Sequence, residues 1–240
     1  MLTKVQGMVI KAIKYSESSL ILDMFTAQFG LASFIVGGAR KPRSQMPASL
    51  FQLMNWLEVV AYIKDTSTLS RIKEARPVLH YQSIPFDVQR RSIGLFMTEV
   101  FQKTVKEHEA NQPLYDFLQQ TFITLDNRDQ HISNLHLVFL LHLSRFLGFY
   151  PDDRWSENDR YFDLLKGTFV PFPHPAYTME PENSKLLSRL MELSVDQADL
   201  LKVSRKERQA LIEDLLAFFK LHMDKMPDIQ THKVLANVFG

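Results

Sequence analysis

The first eighty residues alternate between apolar and polar or outward positions. Leu20, Leu22 and Met24 fall on one side of an extended segment and Ile21, Asp23 and Phe25 on the other. That two-residue period marks a β-strand. Val5–Tyr15 ahead of it and Leu31–Val36 behind it have the same extended character, and Gln28-Phe29-Gly30 is the turn before the third strand. The run Trp56 to Ile63, inside Leu53–Lys64, is dense in strand formers; a Lys64-Asp65-Thr66-Ser67 turn and a short strand at Leu69–Glu74 follow. Five strands in so short a stretch, with a longer loop after the third, predict a small barrel of the OB type, with an SH3-like barrel the nearest alternative.

After Arg76-Pro77 the period becomes helical. Asp87–Glu109 sets Ile93, Phe96, Met97, Val100, Phe101 and Val105 on one face. Pro113 opens a second helix running to about Leu125. Ser133 is positioned to cap a third, Asn134–Phe149, which is apolar nearly all the way round and is therefore the expected centre of a bundle. Residues 149–182 contain Pro151, Pro171, Pro173, Pro175 and Pro181 and predict irregular chain without long helices. Ser204-Arg205-Lys206-Glu207 reads as a capping box for a last helix that turns Leu211, Leu215, Phe218 and Phe219 inward. The expected fold class is α+β: a five-stranded OB-type barrel over 1–80, then an all-α helical domain over 81–240 with an irregular insertion at about 149–182.

Composition narrows the class. Hydrophobic residues are 45% and charged residues 23% of 240, the profile of a soluble globular protein. Cysteine is absent, which excludes disulfides and thiolate metal sites. The start lacks the layout of a signal peptide, and the longest apolar run, Leu137 to Leu141, is far short of the roughly 18 residues of a membrane span. A cytoplasmic protein without membrane association is expected. Net charge is only +1, yet residues 1–80 hold ten Lys or Arg against five acids, and the remainder is mildly acidic. This asymmetry fits a nucleic-acid-facing module joined to a protein-facing one.

The cations concentrate at Gly37-Gly38-Ala39-Arg40-Lys41-Pro42-Arg43-Ser44, a glycine-flexed turn with three positive charges in four positions. Such a turn is either simply solvated or suited to a polyanion, a nucleic-acid backbone above all. Arg40, Lys41 and Arg43 are the first candidate phosphate contacts, and Arg71, Lys73 and Arg76 the second. Ser44 is a candidate to bond a phosphate or to close its own turn. Exposed members of Tyr15, Phe34, Trp56 and Tyr62 would stack on bases, although most aromatics of so small a barrel belong in its core. Catalytic patterns are missing: no phosphate-binding glycine loop, H-E-x-x-H, G-x-S-x-G or EF-hand sequence occurs. His131, His136 and His142 are spaced by five and six, which does not bring them to one helical face, so no metal is expected there. The chain does not read as an enzyme.

Three spaced motifs, Tyr15-Ser16-Glu17-Ser18-Ser19-Leu20-Ile21-Leu22, Phe25-Thr26-Ala27-Gln28-Phe29-Gly30 and the basic turn, followed by Lys73-Glu74-Ala75, resemble the N-terminal domain of the RecO family of bacterial recombination mediators. Leu147-Gly148-Phe149 extends the resemblance into the helical part. It implies an OB domain followed by a helical domain, and binding of single- and double-stranded DNA without hydrolysis. It also implies annealing of complementary strands and help in loading recombinase on DNA coated by the single-strand-binding protein, together with RecR. Contact with the acidic, phenylalanine-ended tail of the single-strand-binding protein is implied for the helical domain, and residence at the nucleoid follows. Many relatives carry a four-cysteine zinc site after the third helix. Here no cofactor or metal is expected, and Trp155, Tyr161, Phe162, Phe169 and Phe172 would pack in its place. The alternative from another class is an interaction scaffold whose basic barrel docks an acidic protein.

Overall fold

A computed structural model describes residues 1–63, 69–152, 155–232 and 235; the expected Lys64-Asp65-Thr66-Ser67 turn lies outside them. Two compact units emerge, neither continuous in sequence: Met1–Gln82 with Thr98–Gln119, and Ser83–Met97 with Gln120–Gly240.

The first unit is built on a closed five-stranded barrel. Its strands are β1 (Leu2–Lys14), β2 (Leu20–Thr26), β3 (Gly30–Val36), β4 (Trp56–Tyr62) and β5 (Ser70–Pro77), in the order β1-β2-β3-β5-β4. All neighbours are antiparallel except β3 and β5, which are parallel. Alternation sorts the side chains as the period predicts. Leu20, Leu22, Met24, Phe34, Val59 and Ala61 point into the core. Phe34 is fully buried, and a phenylalanine so placed contributes about 2–3 kcal/mol. A short 3-10 turn, Ala48–Phe51, adds Phe51 to that core.

Outward residues fall into bands. Met8 of β1 lies opposite both Phe25 of β2 and Trp56 of β4, and all three are fully buried although they face away from the barrel axis. They are covered by Thr98–Gln119: Phe25 meets Phe101 edge-on at 4.9 Å, and Trp56 meets Tyr115 at 5.4 Å. The same segment touches the β2–β3 turn through its backbone. Leu31 N–H donates to the Glu107 carbonyl at 2.8 Å, and His108 Nδ1 lies 2.9 Å from the Leu31 carbonyl oxygen. Gly30, at φ +61°, makes this approach possible, because a Cβ there would lie 2.3 Å from the Glu109 carbonyl oxygen. Beside the covered band runs a polar one, in which Asp23 accepts from Ser33 Oγ at 2.6 Å and pairs with Lys11 at 3.7 Å.

The second unit is mainly helical. It holds the start of helix α1 (Val88–Thr104), whose residues from Thr98 on belong to the first unit; the Asp87 carboxylate accepts from the Gln89 and Arg90 N–H groups at that start. Arg90 itself is buried. Its guanidinium donates to the carbonyls of Leu125, Asn127, Arg128 and Gln130, satisfying the end of α2 (Gln112–Asp126), where helix carbonyls lack partners. The central helix is α3 (Leu135–Phe146), buried along nearly its whole length. Its N-cap is Asn134 rather than the expected Ser133. The Asn134 side chain caps nothing: it donates to Ala198 and Leu201 carbonyls and accepts from Arg208.

Residues 149–182 are more ordered than the prolines predict. Strands β6 (Tyr161–Asp163), β7 (Thr168–Val170) and β8 (Thr178–Met179) form a small sheet in the order β7-β6-β8, so an all-α second domain is corrected. Pro171, Pro173 and Pro175 lie in the connection between β7 and β8, and Pro181 begins α4 (Pro181–Met191), where its missing N–H costs nothing. Phe162 and Phe169 are buried, 5.0 Å apart, and Phe162 reaches Phe218 of α5 (Arg205–His222) at 5.6 Å. Phe172 departs from expectation: it stands 80% exposed on the proline-rich connection. The capping box of α5 forms as expected, Ser204 Oγ accepting from Glu207 N–H and the Glu207 carboxylate from Ser204 N–H. Among the described residues no helix is long and apolar enough to cross a membrane.

Two outcomes follow. Gly30→Ala destabilises the first unit by about 2 kcal/mol or more, from the left-handed backbone and the clash with Glu109, measured by urea unfolding. His136 is fully buried beside Phe96, and burial, with the Arg208 charge behind it, pushes its pKa down to about 3. Unfolded His136 takes up a proton below about pH 6.5 and the folded residue does not. Stability therefore falls on acidification from pH 6.5 towards 4.5 by about 1.4 kcal/mol per pH unit from this group, a contribution absent in His136→Leu.

Candidate nucleic-acid interface

The basic turn leaves β3 at Val36 and is held at several points. Gly38 adopts φ +75°, and Lys41 N–H donates to the Gly38 carbonyl at 3.1 Å to close a tight turn. Ala39 points into the barrel core and pegs the loop, while Arg40, Lys41 and Arg43 on either side of the proline stay exposed. Arg40 is tied to the β1–β2 turn twice: its N–H donates to the Ser18 carbonyl at 3.1 Å, and its guanidinium to the Ser16 carbonyl at 3.0 Å. One guanidinium donor is thus engaged in orienting the side chain, and a guanidinium carries five. Ser44 closes its own turn, its hydroxyl accepting from Met46 N–H at 3.2 Å. Arg43 sits at φ +59°, a left-handed conformation that disfavours any residue with a Cβ.

The three cations of β5 do not form one group. Arg71 lies opposite Ile35 of β3 and Tyr62 of β4, at the strand end from which the basic turn departs. Lys73 falls where the β4–β5 register shifts and lies 3.7 Å from Glu74, an exposed pair of little strength. Arg76 is about 16 Å further along the strand than Arg71, at about 3.3 Å per residue. It is committed to Glu58, donating through Nε at 2.9 Å and Nη2 at 2.7 Å. Gln6 Nε2 donates to the other Glu58 oxygen at 3.0 Å. The Gln6 bond first, then Arg76 and Lys4, hold the Glu58 carboxyl below its usual range against the opposing effect of burial. The structure therefore groups Arg40, Lys41, Arg43 and Arg71 at one end of the barrel and sets Arg76 apart.

Of the four aromatic candidates, Phe34 and Trp56 are fully buried. Tyr15, beside the basic turn, is 62% exposed and Tyr62 52%. The residues missed by sequence reasoning are isoleucines. Ile13, Ile21 and Ile35 occupy the outward parity of β1, β2 and β3, opposite the core positions, and stand in one row with Arg71 and Tyr62. Their signal in the sequence was an apolar residue on the wrong side of an alternating strand. Among the described residues no three His, Asp or Glu side chains converge as a metal site would require. His136 is buried, and His142 Nε2 lies 2.8 Å from the Leu193 carbonyl oxygen.

Comparison with known proteins covers both parts of the chain. The family model "Recombination protein O N terminal" matches residues 1–81, and "Recombination protein O C terminal" matches residues 85–228. A protein of Bacteroides fragilis named DNA repair protein RecO is 34% identical over 243 residues, spanning all of both chains. Proteins of the same name are 33% identical over 242 residues in Phocaeicola vulgatus, again covering 100% of each chain, and 34% over 238 residues in Flavobacterium psychrophilum, covering 99% of each.

The left-handed backbone at Arg43 separates charge from folding. Arg43→Gly keeps or raises stability, by up to about 1 kcal/mol, whereas the β-branched Arg43→Val loses about that much or more; thermal unfolding of the two distinguishes them.

Proposed function

The chain belongs to the RecO family of DNA repair proteins, and from that premise we propose that its barrel binds DNA, that it anneals complementary single strands, and that it assists recombinase loading on DNA coated by the single-strand-binding protein, together with RecR. The observation that carries the reading is the pegged basic turn. Three exposed cations are held in place by Ala39 in the core and by the Arg40 bonds to Ser16 and Ser18. A floppy cationic loop would lose entropy on meeting a phosphate backbone, and a pre-set one loses less.

Annealing requires two polyanions to approach. Cations that neutralise phosphates on each strand lower that repulsion and release condensed counterions, which drives binding. Arg40, Lys41 and Arg43 are the leading phosphate contacts, with Arg71 beside them and Lys73 next. Arg76 contributes only if it leaves Glu58. Ser44, whose oxygen already accepts from Met46 N–H, still has its hydroxyl hydrogen to donate to a phosphate. No covalent bond is made or broken in annealing, so the reading assigns no catalytic residue and needs no cofactor. Binding to both single- and double-stranded DNA, and residence at the nucleoid, follow from contacts to phosphate rather than to bases.

For a protein partner, the second unit offers a cleft of about 540 Å³ lined by His131, Asn134, Asp199, Leu201, Lys202 and Arg208 among others. Lys202 and Arg208 there stand against one acid, Asp199, with Leu201 and Val203 beside them, a combination suited to the acidic, phenylalanine-ended tail of the single-strand-binding protein.

Fluorescence anisotropy of a labelled single strand across a salt series tests the reading. If four phosphates are neutralised, log K falls against log salt with a slope of about −3, roughly a sixtyfold loss between about 50 and 200 mM. The Arg40/Lys41/Arg43→Ala variant weakens binding and flattens the slope by about 2. A folded wild type that does not bind at low salt overturns the proposal and leaves the turn as a dock for an acidic protein.

A further inference from the structure

The strand β5 is paired on one side only for most of its length. Its contact with β3 is confined to Ser70 and Arg71, which lie opposite Phe34 and Ile35. Beyond them β4 alone holds it. Hydrogen-bond alternation identifies the groups left over. The Asn55 carbonyl accepts from Val9 N–H of β1, and the Trp56 carbonyl accepts from Val78 N–H, both at 2.9 Å. Even-numbered residues of β4 therefore bond towards β5, and the register Glu58↔Arg76 and Val60↔Glu74 engages the backbone of Arg76 and Glu74. Ala75, between them, turns its N–H and C=O away from β4. Among the described residues no other backbone group bonds to them. The open edge is short: Lys73 sits in the bulge of this pairing, and Pro77 has no N–H to offer. A proline there is at home only because that side of the strand is an edge.

The side chains beside this edge are complementary to themselves. Glu74 and Arg76 flank Ala75 on the outward face, their side chains 67% and 71% exposed. A second copy related by a two-fold axis runs antiparallel to the first, and the axis falls on the residue that can bond to its own counterpart. With Ala75 on that axis, each copy donates its Ala75 N–H to the other's Ala75 carbonyl. Glu74 of each copy then lies opposite Arg76 of the other, at positions where side chains approach most closely. Moving the register one outward-facing step either way sets Glu74 against Glu74 or Arg76 against Arg76, and like charges directly opposite destabilise a sheet. Arg76 can serve both neighbours: Glu58 takes Nε and one Nη, and a guanidinium has five donors. Glu74 gives up little, since its pair with Lys73 is exposed and 3.7 Å long.

We propose that the free edge of β5 around Ala75 is a pairing site for a second copy of this chain. Two backbone bonds and two exposed ion pairs fall well below the roughly 1,000 Å² of a stable interface, so the pair is weak in free solution. Molecules bound to strands that are meeting hold one another at a raised effective concentration, and a weak contact is then enough. The basic turn belongs to the same unit as β5, so a pair carries two such turns, one for each strand being annealed. That purpose rests on the DNA-binding reading above, whereas the site itself rests on the edge and its charges. The bulge at Lys73 and the proline at Pro77 end the edge on both sides and block longer strand addition.

The chain has no cysteine, so single thiols report the register. Glu74→Cys and Arg76→Cys, on chains carrying tags of different length, are mixed and mildly oxidised. With Ala75 on the axis the two thiols sit on opposed residues whose Cα atoms are about 4.5 Å apart, within reach of a disulfide. Thiols of like chains are diagonal neighbours about 7–8 Å apart, which is too far. The expected product is therefore a disulfide between unlike chains, in excess over both like pairs. Arg76 of one chain still faces Glu74 of the other in that product. Adding Glu74→Lys to the Arg76→Cys chain makes this contact repulsive and lowers the yield about fivefold. Sedimentation equilibrium of the unaltered chain, which needs no variant to fold, gives an average mass that rises above one chain with concentration. A mass of one chain throughout, a mixed product no more abundant than the like ones, or a yield that Glu74→Lys leaves unchanged overturns the proposal. If the mixed product forms but the chain binds no labelled single strand, the pairing stands and the DNA-binding reading falls.

Discussion

A barrel closed by five strands has one inside, and the two-residue period of each strand sends half of its side chains out. Every outward residue must then be polar, be covered by another part of the chain, or be presented to a partner. This chain uses all three solutions in adjacent bands: Lys11, Asp23 and Ser33 satisfy one another, Met8, Phe25 and Trp56 lie under Thr98–Gln119, and Ile13, Ile21, Ile35 and Tyr62 remain open. Much else in the first unit serves this arrangement. Gly30 lets the covering segment approach, Ala39 pegs the basic turn, and Arg40 ties that turn to the hairpin beside the open band.

The barrel was legible because alternation is local. Leu20, Leu22 and Met24 declare their side within one strand, and the capping box at Ser204 declares a helix start within four residues. Coverage is not local. Trp56 and Tyr62 share one strand and one parity, yet Trp56 is sealed by Tyr115 and Tyr62 stands half exposed. No pattern inside the strand distinguishes them, since the covering residue arrives from a distant segment. The same limit explains Arg90, which reads as a surface cation in a helical pattern and is buried where carbonyls at and just after the end of a different helix converge on it.

Proline misled over 149–182 for a related reason. Pro171, Pro173 and Pro175 exclude helix where they stand, but short strands fit on either side of them, and Pro181 starts a helix instead of ending one. The segment is built around rings. Phe162 contacts Phe169 and Phe218, and Phe149 stacks on His222 and meets Phe218 and Phe219 edge-on. Such clustering packs a small sheet without any thiolate ligand in the chain. At the candidate interface, the basic turn was visible as charge, whereas the division between Arg71, which joins it, and Arg76, which Glu58 holds, needed the register of β5 and the Glu58 bonds.

The central claim is that the basic end of the barrel, where Ile13, Ile21 and Ile35 lie beside Arg71 and the basic turn, receives DNA, and that the helical unit does not. Isoleucine side chains report on both regions and on the barrel core. In methyl spectra of protein labelled at isoleucine, titrated with a short single strand, the account predicts shifts at Ile13, Ile21 and Ile35 and little change at Ile72 in the barrel core or at Ile93 and Ile212 in the second unit. Shifts confined to Ile93 and Ile212, with the three outward isoleucines unmoved, would contradict it.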